Sequence, residues 1–171
     1  MGDIQLVSGP QLFLGYGLGA TFNRRDPFFP TGDRGNADAD QWITLTGRAK
    51  EVINRGGELM SPFEIEEACT HGAAPTVMAF SAPHKELGEI VAIAVPHDTR
   101  ATLEDIHMVA MKRLALPALP QVMVIVPQLP RTNGTGKLQR VGYAEKLKMA
   151  PMEGMERRTF RLDDHGNLRA A

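Results

Sequence analysis

Two glycines in a row, Gly56-Gly57, set between the β-branched pair Val52-Ile53 and the dipeptide Ser61-Pro62, constrain this chain more than any other stretch. Paired glycines take the positive φ angles that a two-residue hairpin turn needs, so a strand reverses direction there. Ser61 is then a good N-cap, Pro62 suits the first helical position, and Glu64 stands three residues after the cap, the spacing of a capping box. Glu64, Glu66 and Glu67 lie near the positive end of the helix dipole, where carboxylates are favoured; they read as capping and surface charges. The stretch therefore predicts a strand, a tight turn and a helix over 62–71.

The same reasoning extends along the chain. Residues 4–7 and 11–14 read as short strands around a Ser8-Gly9-Pro10 turn, 17–41 as Gly-, Pro-, Asn- and Asp-rich loops, and 42–46 as a strand. After a break at 72–75, a β-rich run covers 76–81, a turn 83–89, and an almost wholly apolar strand 90–95. Thr102 caps a helix with Asp105 at its third position and Leu103, Ile106, Val109, Ala110 and Leu114 at helical spacing; Pro117 and Pro120 end it. Residues 122–126 give another strand, and 139–149 a last helix with Val141, Ala144 and Leu147 on one side. The fold class is α+β: a small three-stranded sheet with flanking helices, preceded by short β-hairpins.

Composition excludes several classes of function. A formal net charge of -1 over 171 residues gives no electrostatic reason to expect nucleic acid or an acidic membrane as partner. No apolar run approaches the roughly 20 residues that span a bilayer, so a soluble protein is expected. One cysteine, Cys69, fits a reducing compartment such as the cytoplasm or an organelle interior, and its place in a helix predicts buried packing. His71, His84, His97, His107 and His165 are scattered without metal-ligand spacing. There is no Gly-x-Ser-x-Gly elbow. A P-loop at Gly136-Lys137 is ruled out, because Arg131 stands where the first glycine belongs and Leu138 comes directly after the lysine.

Three stretches together carry a resemblance. They are Phe29-Pro30-Thr31-Gly32-Asp33; the run from Gly47-Arg48-Ala49-Lys50 through Asn54-Arg55-Gly56-Gly57-Glu58 to Ser61-Pro62; and Leu129-Pro130-Arg131-Thr132-Asn133-Gly134-Thr135-Gly136-Lys137-Leu138-Gln139-Arg140. In this order and spacing the chain resembles the C-terminal, lid part of the adenylate-forming superfamily of acyl-CoA synthetases, and leans towards its acid–CoA ligases. The resemblance implies a remnant of a large N-terminal domain and hinge approach over 1–46, the C-terminal domain over 47–149, and an extension over 150–171, either disordered or docked on a partner.

It also implies chemistry. In such enzymes a carboxylic acid attacks the α-phosphate of ATP, and coenzyme A then displaces AMP from the acyl-adenylate. Lys137 corresponds to the adenylation lysine, whose ammonium meets the developing negative charge. Asp33 corresponds to the ligand of the ribose hydroxyls and Arg48 to a second nucleotide contact. Lys50 occupies the hinge position. Gly56 and Gly57 would line the passage for the pantetheine arm, and Arg55 would meet a coenzyme A phosphate. The phosphate loop, the acyl pocket and the ligands of the Mg2+ that accompanies ATP belong to a large adenylating domain that this chain lacks. Between Thr132 and Gly136 the chain carries one residue more than the pattern, and Pro30 replaces a basic residue. Two functions stay open: the lid of a CoA ligase, inactive by itself, or a non-catalytic subunit of a larger assembly derived from that lid.

Overall fold

The computed structural model describes residues 4–10, 29–70, 76–163 and 165–171, the first four of these by their backbone. The chain divides into two compact units, residues 1–50 and 51–171. In the first, β1 (Ile4–Val7), β2 (Phe29–Ala37) and β3 (Ile43–Arg48) form an antiparallel sheet in chain order. β2 runs through a stretch whose composition predicts a loop; pairing with β3, from Asp33↔Arg48 to Ala37↔Ile43, overrides that preference. The strand expected over 11–14 lies outside the described residues. Trp42 and, on β3, Ile43 and Leu45 are largely exposed.

The second unit is built on a mixed, seven-stranded sheet. At its centre stand the three strands the sequence predicts, β6 (Met78–His84), β7 (Gly88–Pro96) and β8 (Val122–Val126). The hairpin of β4 (Ile53–Arg55) and β5 (Glu58–Met60) joins β7 through the pair Arg55↔Gly88. β7 is antiparallel to β6 and parallel to β8. A parallel step needs a crossover, here α2 (Leu103–Met111) and a 3-10 turn at Leu116–Ala118. The capping box of α2 is present: Asp105 N–H donates to Thr102 Oγ1 at 3.1 Å and Thr102 N–H to Asp105 Oδ2 at 2.9 Å.

Side chains alternate across the central strands, and both faces are covered. On one face Val91, Ile93 and Val95 pack with Ile65 and Cys69 of α1 (Pro62–Thr70) and Ile106 and Ala110 of α2. Burial pushes the Cys69 thiol up to about 12, leaving it inert. On the other face Phe80, Ala92 and Val124 meet Tyr143 and Leu147, with the Phe80 and Tyr143 rings edge to face at 5.1 Å.

Several sequence expectations give way to specific contacts. The turn over 83–89 shrinks to Lys85–Leu87 because the buried His84 ring serves its donors: Nδ1 accepts from the N–H groups of Glu86 and Leu87, both at 3.2 Å. That fixes the ring proton on Nε2, which donates to Gly154 O at 3.0 Å. The last helix, expected over 139–149, is only α3 (Tyr143–Lys146), bounded by left-handed Gly142 and Lys148, with Val141 exposed. The segment after Pro151, expected to be disordered or docked on a partner, forms β9 (Arg158–Leu162) and β10 (Leu168–Ala170). β9 adds parallel to β8, and its Phe160 and Leu162 complete the Phe80 face.

Glu66, read from sequence as a surface charge, is mostly buried and faces Arg140. The Arg140 guanidinium donates through one Nη to Glu51 Oε2 at 2.5 Å and through the other to both Glu66 oxygens at 2.9 and 3.1 Å. Glu66 Oε1 also accepts from Ala79 N–H of β6 at 2.9 Å. The Phe63 ring lies 5.2 Å from the guanidinium carbon. Burial raises the Glu66 pKa above its ordinary value, outweighing Arg140 and the Ala79 N–H, which lower it. One arginine therefore ties the start of this unit, α1 and β6 to the Leu129–Arg140 loop.

Two outcomes are expected. Arg140→Met strands two partly buried carboxylates, and removing one partner of such a pair costs about 3 kcal/mol, the lower end of the range because Glu51 keeps some solvent; denaturant unfolding measures it, and Arg140→Met with Glu66→Gln recovers part of the loss. The second concerns His107, buried on α2 with Nδ1 unpartnered among the described residues. Burial first, then Arg157, hold its pKa below 6.5, against the pull of Glu104. Its neutral form is the one that folds, so this contribution is full above pH 6.5 and is lost as pH falls. Unfolding free energies measured between about pH 7.5 and 5.5 therefore decline less steeply for His107→Leu than for the parent chain.

Candidate functional site

The residues singled out in the sequence fall into three clusters. In the first unit, Thr31-Gly32-Asp33 enters β2 with Gly32 at φ +76°, and Asp33 N–H donates to Thr31 Oγ1 at 3.1 Å. Asp33 is the cross-strand partner of Arg48, and the two side chains meet: Arg48 Nε lies 2.8 Å from Asp33 Oδ1, and Arg48 Nη1 donates to Thr31 O at 3.3 Å. Both side chains keep solvent access, 27% for Asp33 and 48% for Arg48. The pair presents a carboxylate already oriented by a cation, with Oδ2 left over as an acceptor among the described residues. Lys50 is the last residue of this unit.

The second cluster is the β4–β5 hairpin. Gly56 and Gly57 have φ of +59° and +97°, and Arg55 pairs with Glu58 across the two-residue turn. Gly57 N–H is held by Asn54 Oδ1 at 2.9 Å and Gly56 N–H by Leu87 O at 2.9 Å. A Cβ on Gly56 would stand 3.2 Å from Leu87 Cδ2, so the turn is crowded at that glycine and open at Gly57. Arg55 is far less available than its sequence position implies: its side chain is 14% exposed, its Nη1 lies 3.7 Å from Glu58, and an Nη donates to Met155 Sδ at 3.8 Å. Gln121 Nε2 donates to the same sulfur at 3.5 Å. Arg55 thus fastens the hairpin to the C-terminal segment.

The third cluster is the Leu129–Arg140 loop. Leu129 and Leu138 pack against the core, Arg131 and Leu138 form a bridge, and Gln139 N–H donates to Pro130 O at 3.0 Å. Inside this neck the backbone of Lys137 is fixed: Thr132 N–H donates to Lys137 O at 2.8 Å, Gly136 N–H to Thr132 O at 3.1 Å, and Arg131 to Gly136 O at 2.7 Å. The Thr132 and Thr135 hydroxyls meet at 2.6 Å. Gly134 and Gly136, at φ +87° and +64°, turn the chain within the length set by the extra residue. Lys137 itself is exposed and has no carboxylate partner among the described residues. A free ammonium on a rigidly held backbone is suited to meeting an anion supplied from outside the unit.

Among the described residues no hydrogen bond or ion pair joins the Lys137 loop to the Gly56-Gly57 hairpin, and no group of three His, Cys, Asp or Glu side chains converges as a metal site requires. Sequence reasoning passed over Arg140 and His84. Arg140 sits inside a quoted motif, and a buried arginine announces itself only through its acidic partners, which lie far away in sequence. His84 looked like a turn residue and became the turn's hydrogen-bond hub.

No protein-family profile matches the chain. It is 35% identical over 147 residues to the oxalate–CoA ligase of Saccharomyces cerevisiae and 38% identical over 151 residues to that of Arabidopsis thaliana. These alignments take in 81% and 85% of this chain but only 27% and 29% of the relatives' length. Among solved structures, ATP-bound MatB from Rhodopseudomonas palustris superposes with a TM-score of 0.70 at 29% identity, over 86% of this chain and 31% of MatB. The o-succinylbenzoate–CoA synthetase MenE of Bacillus subtilis, in complex with its acyl-adenylate, gives 0.70 at 24% identity, over 88% of this chain and 31% of MenE, a likeness of fold. Motifs, fold and relatives agree, and the chain belongs to the adenylate-forming superfamily of acyl-CoA synthetases, as its C-terminal domain.

Proposed function

We propose that this chain is the mobile lid of an ATP-dependent, AMP-forming acid–CoA ligase and that it supplies the adenylation lysine, Lys137. The observation that carries the reading is the Leu129–Arg140 loop: its neck is anchored by Leu129, Leu138 and Arg140, and the exposed Lys137 ammonium projects from a clamped backbone. Adenylation gathers negative charge on the attacking carboxylate and the phosphate oxygens, and a preorganised cation there lowers the barrier. The Asp33 carboxylate, held by Arg48, keeps Oδ2 to accept from a ribose hydroxyl, and Arg48 then acts through Asp33 as well as on the nucleotide. Gly56 and Gly57 offer a side-chain-free edge past which a pantetheine arm slides. Arg55 is engaged with Glu58 and Met155, so its contact with a coenzyme A phosphate requires Met155 to yield.

The division of the chain into two compact units between Lys50 and Glu51 supports the hinge at Lys50. Exposed Trp42, Ile43 and Leu45 support a large adenylating domain that covers them. In this reading Mg2+ arrives with ATP and is held by that domain, as is the acid. The non-catalytic alternative draws on one observation, the diversion of Arg55 into a structural contact.

The test is a chimera in which this chain replaces the corresponding part of the Arabidopsis oxalate–CoA ligase. Oxalate-dependent ATP–pyrophosphate exchange is expected in the chimera and not in the isolated chain. Lys137→Ala lowers exchange by roughly 100- to 1,000-fold, the usual cost of losing one preorganised stabiliser of developing charge, and leaves thioester formation from pre-formed oxalyl-adenylate near that of the unsubstituted chimera. Equal exchange with and without Lys137 in a folded, active chimera overturns the reading.

A further inference from the structure

The helical layer of the second unit stops short of the sheet. α1 and α2 lie over Val91, Ile93, Val95 and Met123, but the sheet continues past β8 to β9 and β10. Register fixes which side chains face that uncovered area. Met123 pairs with Thr159, Ile125 with Arg161, and Arg161 with Arg169 across the β9–β10 ladder. Because side chains alternate, Thr159, Arg161 and Arg169 share the face of Met123, with Arg157 leading into it. All three arginines are exposed.

Two like charges directly opposed on one sheet face destabilise it. Asp163 offsets only one of them, at 3.0 Å from Arg169 Nε, and its other oxygen accepts from the N–H groups of His165 and Asn167. Arg161 has no carboxylate partner among the described residues. Where α2 and β9 part, a recess of about 250 Å³ opens between Leu103, Glu104, Met123 and Arg157-Arg158-Thr159. Glu104 reaches Arg157 at 3.2 Å, which places the Glu104 line of α2 on this side. Met108 and Met111 stand four and seven residues beyond Glu104 on that line and are 48% and 53% exposed. The area therefore has a basic floor, a methionine-bearing wall and room beside α2.

We propose that this face docks an acidic amphipathic helix of another protein, lying alongside α2 over β9 and β10. Glutamates or aspartates on its polar side meet Arg157, Arg161 and Arg169, relieving the Arg161–Arg169 repulsion. Its apolar side packs on Met108 and Met111, whose flexible side chains adapt to varied partners. The surface shares no residue with the Asp33, hairpin and Lys137 clusters, and the proposal stands whether or not the chain serves a ligase.

The experiment titrates the full chain, isotope-labelled for NMR, with a synthetic amphipathic helical peptide bearing Glu on one face and Leu on the other, and with a control peptide in which every Glu is Lys. Saturable binding of the acidic peptide alone is expected, weakening with salt, with shifts centred on Thr159, Arg161, Arg169 and the Met108 and Met111 methyls. Arg161→Glu with Arg169→Gln, both exposed and checked by thermal unfolding, should weaken it about tenfold, the equivalent of two lost surface ion pairs. Met108→Ser, which removes apolar contact without adding charge, should weaken it to the same extent at low and high salt. No binding, equal binding of both peptides, or shifts centred on α1 or on the first unit overturn the proposal. So does concentration-dependent self-association of the chain alone, by sedimentation equilibrium, that Arg161→Glu abolishes, since the face then belongs to a second copy.

Discussion

A single buried guanidinium organises the larger unit. Arg140 closes the Leu129–Arg140 loop, and its two amino groups reach Glu51, where the unit begins, and Glu66, midway along α1. Glu66 passes the constraint to β6 through Ala79 N–H. Burying three charges is costly unless each is paired, and the tight geometry here is what makes the arrangement tolerable. Its consequence is positional: the loop enters and leaves the core at Leu129, Leu138 and Arg140, and Lys137 is displayed from a hydrogen-bonded backbone.

The same kind of shared anchoring recurs around His84 and Met155. His84 satisfies the β6–β7 turn with one ring nitrogen and holds the C-terminal segment at Gly154 O with the other. Met155 then covers Arg55, joining that segment to the hairpin. The segment beyond Pro151 is thus part of the sheet's architecture, and it both buries an arginine expected to be free and creates the basic face beside α2.

Local chemistry made much of this legible in the sequence. The Gly56-Gly57 turn, the Thr102–Asp105 capping box and the strand over 122–126 follow from rules that act within a few residues, and the structure agrees with them. Readings failed where a distant partner decided the outcome. β2 forms in a loop-like composition because β3 pairs with it; the helix over 139–149 is cut short because Arg140 is drawn to Glu51 and Glu66; and the polar tail becomes β9 because β8 offers an open edge with Phe160 and Leu162 facing inward. The candidate site residues were picked out as motifs, but the pairing of Asp33 with Arg48 and the cover over Arg55 are three-dimensional facts that motif spacing does not contain.

The central claim is that Lys137 meets the polyphosphate of a nucleotide held by a large adenylating domain. The most direct measurement is site mapping with an acyl-phosphate derivative of ATP, which acylates lysines lying against bound phosphates, on the protein isolated natively from its source. The account predicts that Lys137 is labelled in preference to Lys50, Lys85, Lys112, Lys146 and Lys148, and that ATP together with the acid substrate protects it. Uniform labelling of the lysines, unchanged by ATP, would contradict the claim and leave the fold serving as a binding surface alone.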